Sequence, residues 1–265
     1  MWRKAFRLAA VLTALVFAGG CASNGGALQN ASRGTKAREA AQIHTQLGEA
    51  YMQRGDLKDA LAKLEMAVQY DDSYVPAHTV LAVLYERIGE YGKAEREYRR
   101  VLALEPKSGM ANNNLGAFLC RIGKVRQSLR YFERAVKDPF YQTPFAAYTN
   151  AGVCLMKIGR LVDATQQFHD ALAINPKFPD ALYQSAHVWY LRGDAFRASA
   201  YLQRLESLGS PAPQTLKLGY EIETKLGDAA SARRYREQLL RQFPDSPQAK
   251  QLAQGQAVGE EGTAP

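Results

Sequence analysis

The chain has 265 residues, of which 46% are hydrophobic and 23% charged. This composition is typical of a folded chain and excludes a disordered or collagen-like one. The 34 Lys and Arg residues exceed the 26 Asp and Glu residues, giving a net charge of +8, so binding to nucleic acid or acidic lipid has to be weighed.

The first 20 residues predict a secretory signal peptide. Three cations, Arg3, Lys4 and Arg7, precede an apolar run of 11 residues that extends from Leu8 to Ala18. A helix that spans a bilayer needs about twice that length, and small residues follow the run, as at a cleavage site. Cleavage removes three cations and no acid, which leaves a net charge of +5.

The residues around Cys21 resemble a bacterial lipobox, in which the Cys is acylated and becomes the mature N-terminus. Ala18 stands where Leu is usual, so ordinary signal-peptide cleavage is the alternative. Ala22 stands where an Asp would hold a lipoprotein in the inner membrane, and the resemblance therefore implies the outer membrane. Residues 21–38 are mostly small and polar, and we expect a flexible tether there.

The rest of the chain is organised by a repeat. Six glycines recur at spacings of 34, 34, 36, 34 and 34 residues. They are Gly55, Gly89, Gly123, Gly159, Gly193 and Gly227. Each lies between two apolar segments, as in the first unit, where Leu47-Gly48 precedes the glycine and Ala60 and Leu64 follow it. Ten of the 11 prolines fall at junctions between units, where a helix does not continue.

This pattern is similar to the tetratricopeptide repeat, a pair of antiparallel helices joined by a turn at the glycine. We therefore predict an all-α fold, a right-handed α-solenoid of six tetratricopeptide repeats over residues 39–251. A disordered tail is expected at residues 252–265. By resemblance, the first helix of each repeat lines a concave face that binds an extended peptide or a helix.

Candidate catalytic and metal-binding residues offer an alternative to that binding role. The four histidines, His44, His78, His169 and His187, lack the spacing of metal ligands, and we expect them to pack between helices. Neither a phosphate-binding glycine loop nor a nucleophile elbow is present in the sequence. We predict no catalytic residue, metal, cofactor or small-molecule substrate. Nucleic acid is not expected either, because the tyrosines occupy the packing positions of the repeat.

Two further cysteines lie in the first helices of the third and fourth repeats. An exported chain meets an oxidising compartment, and neighbouring helices allow Cys120 and Cys154 to form a disulfide. Two buried thiols that pack as small apolar groups are the alternative.

Two extra residues interrupt the period between the third and fourth units, at the segment Asp138–Pro144. With Asn112–Cys120 before it and Ala147–Cys154 after it, this region resembles the PilF/PilW family of type IV pilus biogenesis and stability proteins. The resemblance covers residues 40–250. It implies a six-repeat outer-membrane lipoprotein that acts as a pilotin, helping secretin subunits of the type IV pilus to reach the outer membrane and assemble.

We predict that the concave face contacts the secretin through polar amides and tyrosines. The candidates are Asn113, Asn114, Tyr148, Tyr183 and Tyr190. The alternatives are a lipid-anchored scaffold for another envelope assembly machine and a regulatory subunit of an envelope enzyme.

Overall fold

The computed structural model describes residues 24–209 and 211–260, and within them it contains thirteen helices and no strand. Twelve of the helices form six antiparallel pairs, as the repeat predicts, and the thirteenth follows the last pair. The predicted signal peptide and Cys21 lie outside the described residues. None of the described helices has the length and hydropathy that crossing a membrane requires.

Each repeat contributes a first and a second helix. The first helices are α1 (Asn24–Arg54), α3 (Val75–Arg87), α5 (Gly109–Arg121), α7 (Pro144–Lys157), α9 (Pro179–Leu191) and α11 (Pro213–Leu226). The second helices are α2 (Leu57–Tyr70), α4 (Tyr91–Leu104), α6 (Val125–Ala135), α8 (Leu161–Ile174), α10 (Ala195–Glu206) and α12 (Ala229–Gln242). The last helix is α13 (Pro247–Glu260).

The six repeat glycines end the first helices. Their φ angles lie between 73° and 89°, a left-handed conformation that only glycine adopts at little cost. Proline at the first or second position begins α3, α7, α9 and α11, where its missing N–H costs nothing. Glycine and proline therefore set both boundaries of a unit, and the prediction of six repeats is confirmed.

Small residues in the first helices let the two helices of a repeat approach closely. A Cβ on Gly152 would lie 2.4 Å from the Phe168 ring, and a Cβ on Gly48 would lie 2.6 Å from Leu64. Phe168 and Leu64 are themselves fully buried. Burial of such a side chain contributes about 1.5–3 kcal/mol, so the core is a series of large side chains set against glycines.

The helices form two layers. First helices contact the next first helix at four of the five joints between repeats, and each second helix contacts the first helix that follows it. Within the described residues, the backbones of successive second helices lie farther apart, with no Cα atoms within 8 Å of each other. The first helices are therefore the inner layer, and they line the concave face of the solenoid.

Two predicted boundaries are wrong. The tether was expected at residues 21–38, but α1 begins at Asn24 and is continuous to Arg54. Extending a helix costs far less than nucleating one, and Lys36, Ala37 and Arg38 favour helix as they lead into the packed part of α1. The tail was expected to be disordered from residue 252, but α13 continues to Glu260 for the same reason.

The two extra residues between the third and fourth repeats form an ordered loop. One oxygen of Asp138 accepts a hydrogen bond from the Gly109 N–H at 2.7 Å, and the other accepts one from the Phe140 N–H at 2.9 Å. Tyr141 packs against Gly109, where a Cβ would lie 2.6 Å from its side chain. The loop leaves Phe140 exposed over 83% of its surface.

Candidate peptide-binding groove

The concave face of the first two repeats is polar and charged. Val83 on α3 is 44% exposed, and the Arg121 guanidinium forms an ion pair with Glu86 across the joint to the third repeat. Arg87 donates a hydrogen bond to the Met52 carbonyl at 2.9 Å. This end of the groove therefore presents charged groups with a small apolar surface between them.

The centre of the groove is held by an amide pair and by the two cysteines. The Asn150 amide donates to the Asn113 side-chain oxygen at 3.0 Å, which links α7 to α5. Cys120 and Cys154 have Cα atoms 5.9 Å apart, and their sulfur atoms are bonded. This Cα separation lies within the range that a disulfide requires.

The far end of the groove is aromatic. The rings of Tyr183 and His187 on α9 lie 6.2 Å apart, and the Lys225 ammonium lies 5.0 Å from the centre of the Tyr190 ring. Tyr220 on α11 packs into the same cluster. These side chains are half-buried, so they keep an apolar face toward a partner. A cluster of this kind suits the apolar side chains of a bound peptide.

Burial and charge shape the electrostatics of this aromatic end. Burial lowers the pKa of His187, an effect that the Glu221 carboxylate opposes and the Lys217 ammonium reinforces. Burial also raises the pKa of the Tyr183 hydroxyl, and the Glu221 charge adds to that rise. Near neutral pH the imidazole and the phenol are therefore neutral, as an apolar contact surface requires.

Four of the five candidate residues are compatible with the groove, and one is not. Asn113, Asn114, Tyr183 and Tyr190 are half-buried on inner-layer helices, and their contact with a partner stays a prediction. Tyr148 belongs elsewhere. It packs toward Phe178 and Tyr201 and lines a cleft of about 460 Å³ between the second helices α6 and α8. Tyr148 lies on the side of α7 that faces the outer layer and not the groove.

Sequence reasoning missed part of the aromatic end. Tyr220 is not among the candidates, because the sixth repeat departs from the spacing of the others: Gly219 lies eight positions before Gly227, whereas Gly152 lies seven before Gly159. The signal was present, since Tyr220 directly follows Gly219, as His187 follows Ala186 and Val153 follows Gly152. Counting from the small residue of each first helix would therefore have found it.

The histidines serve packing in three of four cases. His78 is buried, and its Nδ1 lies 2.7 Å from a Glu97 carboxylate oxygen. His44 stacks on Tyr70 with ring centres 5.2 Å apart. His187 belongs to the aromatic end, whereas His169 has a side chain that is 69% exposed, so the packing prediction is wrong there. The part of the chain that the structure describes holds no group of three His, Cys, Asp or Glu side chains suited to a metal.

Comparison with known proteins identifies the class of protein first. One family model of the tetratricopeptide repeat matches residues 51–113, and a second family model of the same repeat matches residues 24–75 and 119–181. Together with the six helix pairs, this makes the chain a tetratricopeptide-repeat protein.

Two relatives narrow the class to a family. The chain is 28% identical over 241 residues to the type IV pilus assembly protein PilF of Pseudomonas aeruginosa, covering 91% of this chain and 95% of that one. A crystal structure of PilW, described as a widely conserved type IV pilus biogenesis factor, matches with a TM-score of 0.73 and 33% identity over 80% of this chain and 98% of that one. The Pseudomonas PilF structure matches with a TM-score of 0.69 and 26% identity, over 83% of this chain and 99% of that one. The chain belongs to the PilF/PilW family of tetratricopeptide-repeat proteins in type IV pilus biogenesis.

Proposed function

We propose that this scaffold of type IV pilus biogenesis is a pilotin. Cys21 is acylated and anchors the chain in the outer membrane, facing the periplasm, and the groove binds a segment of the secretin. Anchoring raises the local concentration of secretin subunits at the membrane where they assemble. The protein supplies binding and no chemistry.

The observation that carries the proposal is the aromatic end of the groove. Tyr183, His187, Tyr190 and Tyr220 form a half-buried surface on the inner layer, at the joint between the fifth and sixth repeats. Half-buried tyrosines lose little side-chain entropy on binding and present both apolar area and hydroxyl groups. Asn113 and Asn150 lie nearer the centre of the same inner layer, so one extended peptide would meet amides and then aromatic rings.

The experiment is complementation of a deletion strain. We expect deletion to abolish twitching motility and the heat-stable secretin multimers of the outer-membrane fraction, and the wild-type gene to restore both. Tyr183→Ala/Tyr190→Ala should restore the multimers poorly. The matched control, Tyr70→Ala/Tyr131→Ala, removes two tyrosines from second helices outside this cluster and should restore them.

The anchor is tested in the same strain. Cys21→Ala should lose lipid labelling and leave the membrane fraction. The pilotin proposal fails if deletion leaves the secretin multimers and motility intact. The lipid anchor fails separately if Cys21→Ala fractionates and labels as the wild type does.

A further inference from the structure

The excess positive charge of the chain is concentrated on one edge of the solenoid. We define the turn edge as the six segments that join first to second helices: residues 53–62, 87–96, 121–130, 157–166, 191–200 and 225–234. These segments hold 16 Lys and Arg residues against 7 Asp and Glu residues. After the predicted signal peptide, all other positions together hold 15 cations and 19 acids. The edge is therefore basic, whereas the rest of the chain is weakly acidic.

The second to fifth of these segments are neighbours in space. The Lys124 ammonium lies 2.7 Å from a Glu95 carboxylate oxygen of the preceding turn, and Arg192 donates to the Thr165 hydroxyl at 3.0 Å. Between the third and fourth turns, Lys124, Arg126 and Arg160 line one open cleft of about 560 Å³. The second to fifth turns therefore present their cations on one continuous surface.

Exposed apolar side chains stand among these cations. Tyr91, Val162 and Phe196 are 52%, 68% and 78% exposed, and each is the first or second residue of a second helix. Ile158 and Leu226, beside the glycines of their turns, are also exposed. The turn edge thus combines cations with exposed apolar side chains. This combination is typical of a binding surface, whereas a solvated helix end carries charge without exposed apolar groups.

Helix stability explains only some of these cations. Arg87, Arg121 and Lys157 lie in the last turn of a first helix, where a cation complements the helix dipole. Arg126 is the second residue of α6, a position at which the dipole disfavours a cation, and no acid lies in that first turn. Residues 106–132 contain five cations and no acid at all. Folding alone does not account for this arrangement.

We infer that the turn edge, which adjoins the groove at Arg87, Arg121 and Lys225, is a second docking surface that binds an acidic protein segment carrying apolar side chains. Protein is favoured over lipid by the direction of α1. Its 31 residues extend for about 46 Å and end at Arg54 on the turn edge. This step rests on the proposed function, because an anchor at Cys21 then places the turn edge at the end of α1 remote from the bilayer.

The test compares two variants of equal net charge. Arg126→Glu/Arg130→Glu reverses two exposed cations of the turn edge, and Lys107→Glu/Lys177→Glu reverses two exposed cations in loops between repeats. The probe is fluorescein-labelled poly-L-glutamate, titrated at low and at physiological salt. We expect the first variant to lose at least about tenfold in affinity and the second to stay within about twofold of the wild type. Glu is favoured at the start of α6, where Arg126 lies, and Arg130 is exposed, so the first variant should melt like the wild type.

Two outcomes would overturn the inference. Equal losses in both variants would show that net charge alone attracts the probe. Binding to vesicles that contain phosphatidylglycerol, lost in Arg126→Glu/Arg130→Glu while poly-L-glutamate binds neither protein, would make the partner a lipid surface. The apolar part is tested with Phe196→Ser, which should weaken a Glu/Tyr copolymer and leave poly-L-glutamate unchanged. The pilotin proposal survives either failure, since its own test uses the groove.

Discussion

The N-terminal half of the solenoid, repeats one to three, is joined by charged groups. His78 contacts Glu97 of the same repeat and the Asp72 carbonyl at the end of the first, at 2.7 and 2.9 Å. Arg121 pairs with Glu86, and across the same joint Lys124 pairs with Glu95. Each of these contacts depends on charge, so this half should respond to salt and to pH.

The C-terminal half, repeats four to six, is joined mainly by aromatic and buried polar groups. The Phe145 and Phe178 rings meet at 4.8 Å across one joint, and the Ser199 hydroxyl donates to the buried Glu223 carboxylate at 2.8 Å across the next. The helices of both halves nevertheless follow one frame. The helix pair of each repeat depends on its glycine turn and on close packing. The residues that join one repeat to the next can vary without disturbing that pair. The groove is therefore charged at one end and aromatic at the other.

The largest effect should follow from removing the disulfide that links the two halves. Cys120→Ser/Cys154→Ser removes the link between the third and fourth repeats. The cysteines are 34 positions apart, and opening a loop of that length lowers the free energy of unfolding by about 3–4 kcal/mol. Urea unfolding followed by circular dichroism should show a lower midpoint and a broader transition, because repeat arrays lose cooperativity at a weak joint.

Reduction provides the control for this prediction. Dithiothreitol should lower the midpoint of the wild type by the same amount and leave the Ser variant unchanged. Mass mapping of protein purified from the periplasm should find Cys120 and Cys154 in one linked peptide pair. Two free thiols in that material, or an unchanged midpoint in the variant, would mean that the halves are joined by packing alone.

The frame was predictable from sequence because its causes are local. A glycine with positive φ and a proline at a helix start act on their own neighbours, so their spacing alone predicts six helix pairs. The contacts that join neighbouring repeats were not predictable in the same way. Asn113 and Asn150 are 37 positions apart, and only the packed structure shows that their amides meet. The assignment of Tyr148 to the groove failed for a related reason, since the repeat pattern locates a residue on a helix more securely than it locates the side that the residue faces.

A second, smaller effect should distinguish how tightly the first repeat and the fourth repeat pack. Gly152→Ala places a Cβ 2.4 Å from the rigid Phe168 ring, whereas Gly48→Ala meets Leu64, which has more rotamers available. We expect Gly152→Ala to destabilise the protein by about 1–2 kcal/mol, despite the helix propensity that alanine adds. Gly48→Ala should cost less. Thermal unfolding of both variants measures the difference.

The double variant Gly152→Ala/Phe168→Leu isolates the clash. If the ring is the cause, the smaller side chain relieves it, and the double variant costs less than the sum of the two single changes. Additive losses would instead attribute the cost of Gly152→Ala to the helix itself, and the contrast in packing between the first and fourth repeats would disappear.

The smallest effect, and the one most specific to the comparison, concerns pH. Burial alone lowers the pKa of His78, but the hydrogen bonds to Glu97 and to the Asp72 carbonyl, with the charges of Glu97 and Asp72, raise it above its ordinary value of 6.5. The contribution of His78 to stability is therefore complete below the unfolded pKa and is lost as pH rises through the folded pKa. His187 behaves oppositely, because burial lowers its pKa. Its contribution is present above the unfolded pKa and is lost as pH falls through the folded pKa.

Lowering the pH across the histidine range should consequently stabilise the N-terminal half and destabilise the C-terminal half. Native-state hydrogen exchange, corrected for the intrinsic pH dependence of exchange, resolves the two halves, and NMR titration of the two imidazoles gives the direction of each shift. Glu97→Gln should remove the response of repeats one to three, and His187→Phe should remove that of repeats five and six. If the pKa values of the two imidazoles shift in the same direction, the contrast between the halves is contradicted. Charge would then not dominate at His78 while burial dominates at His187.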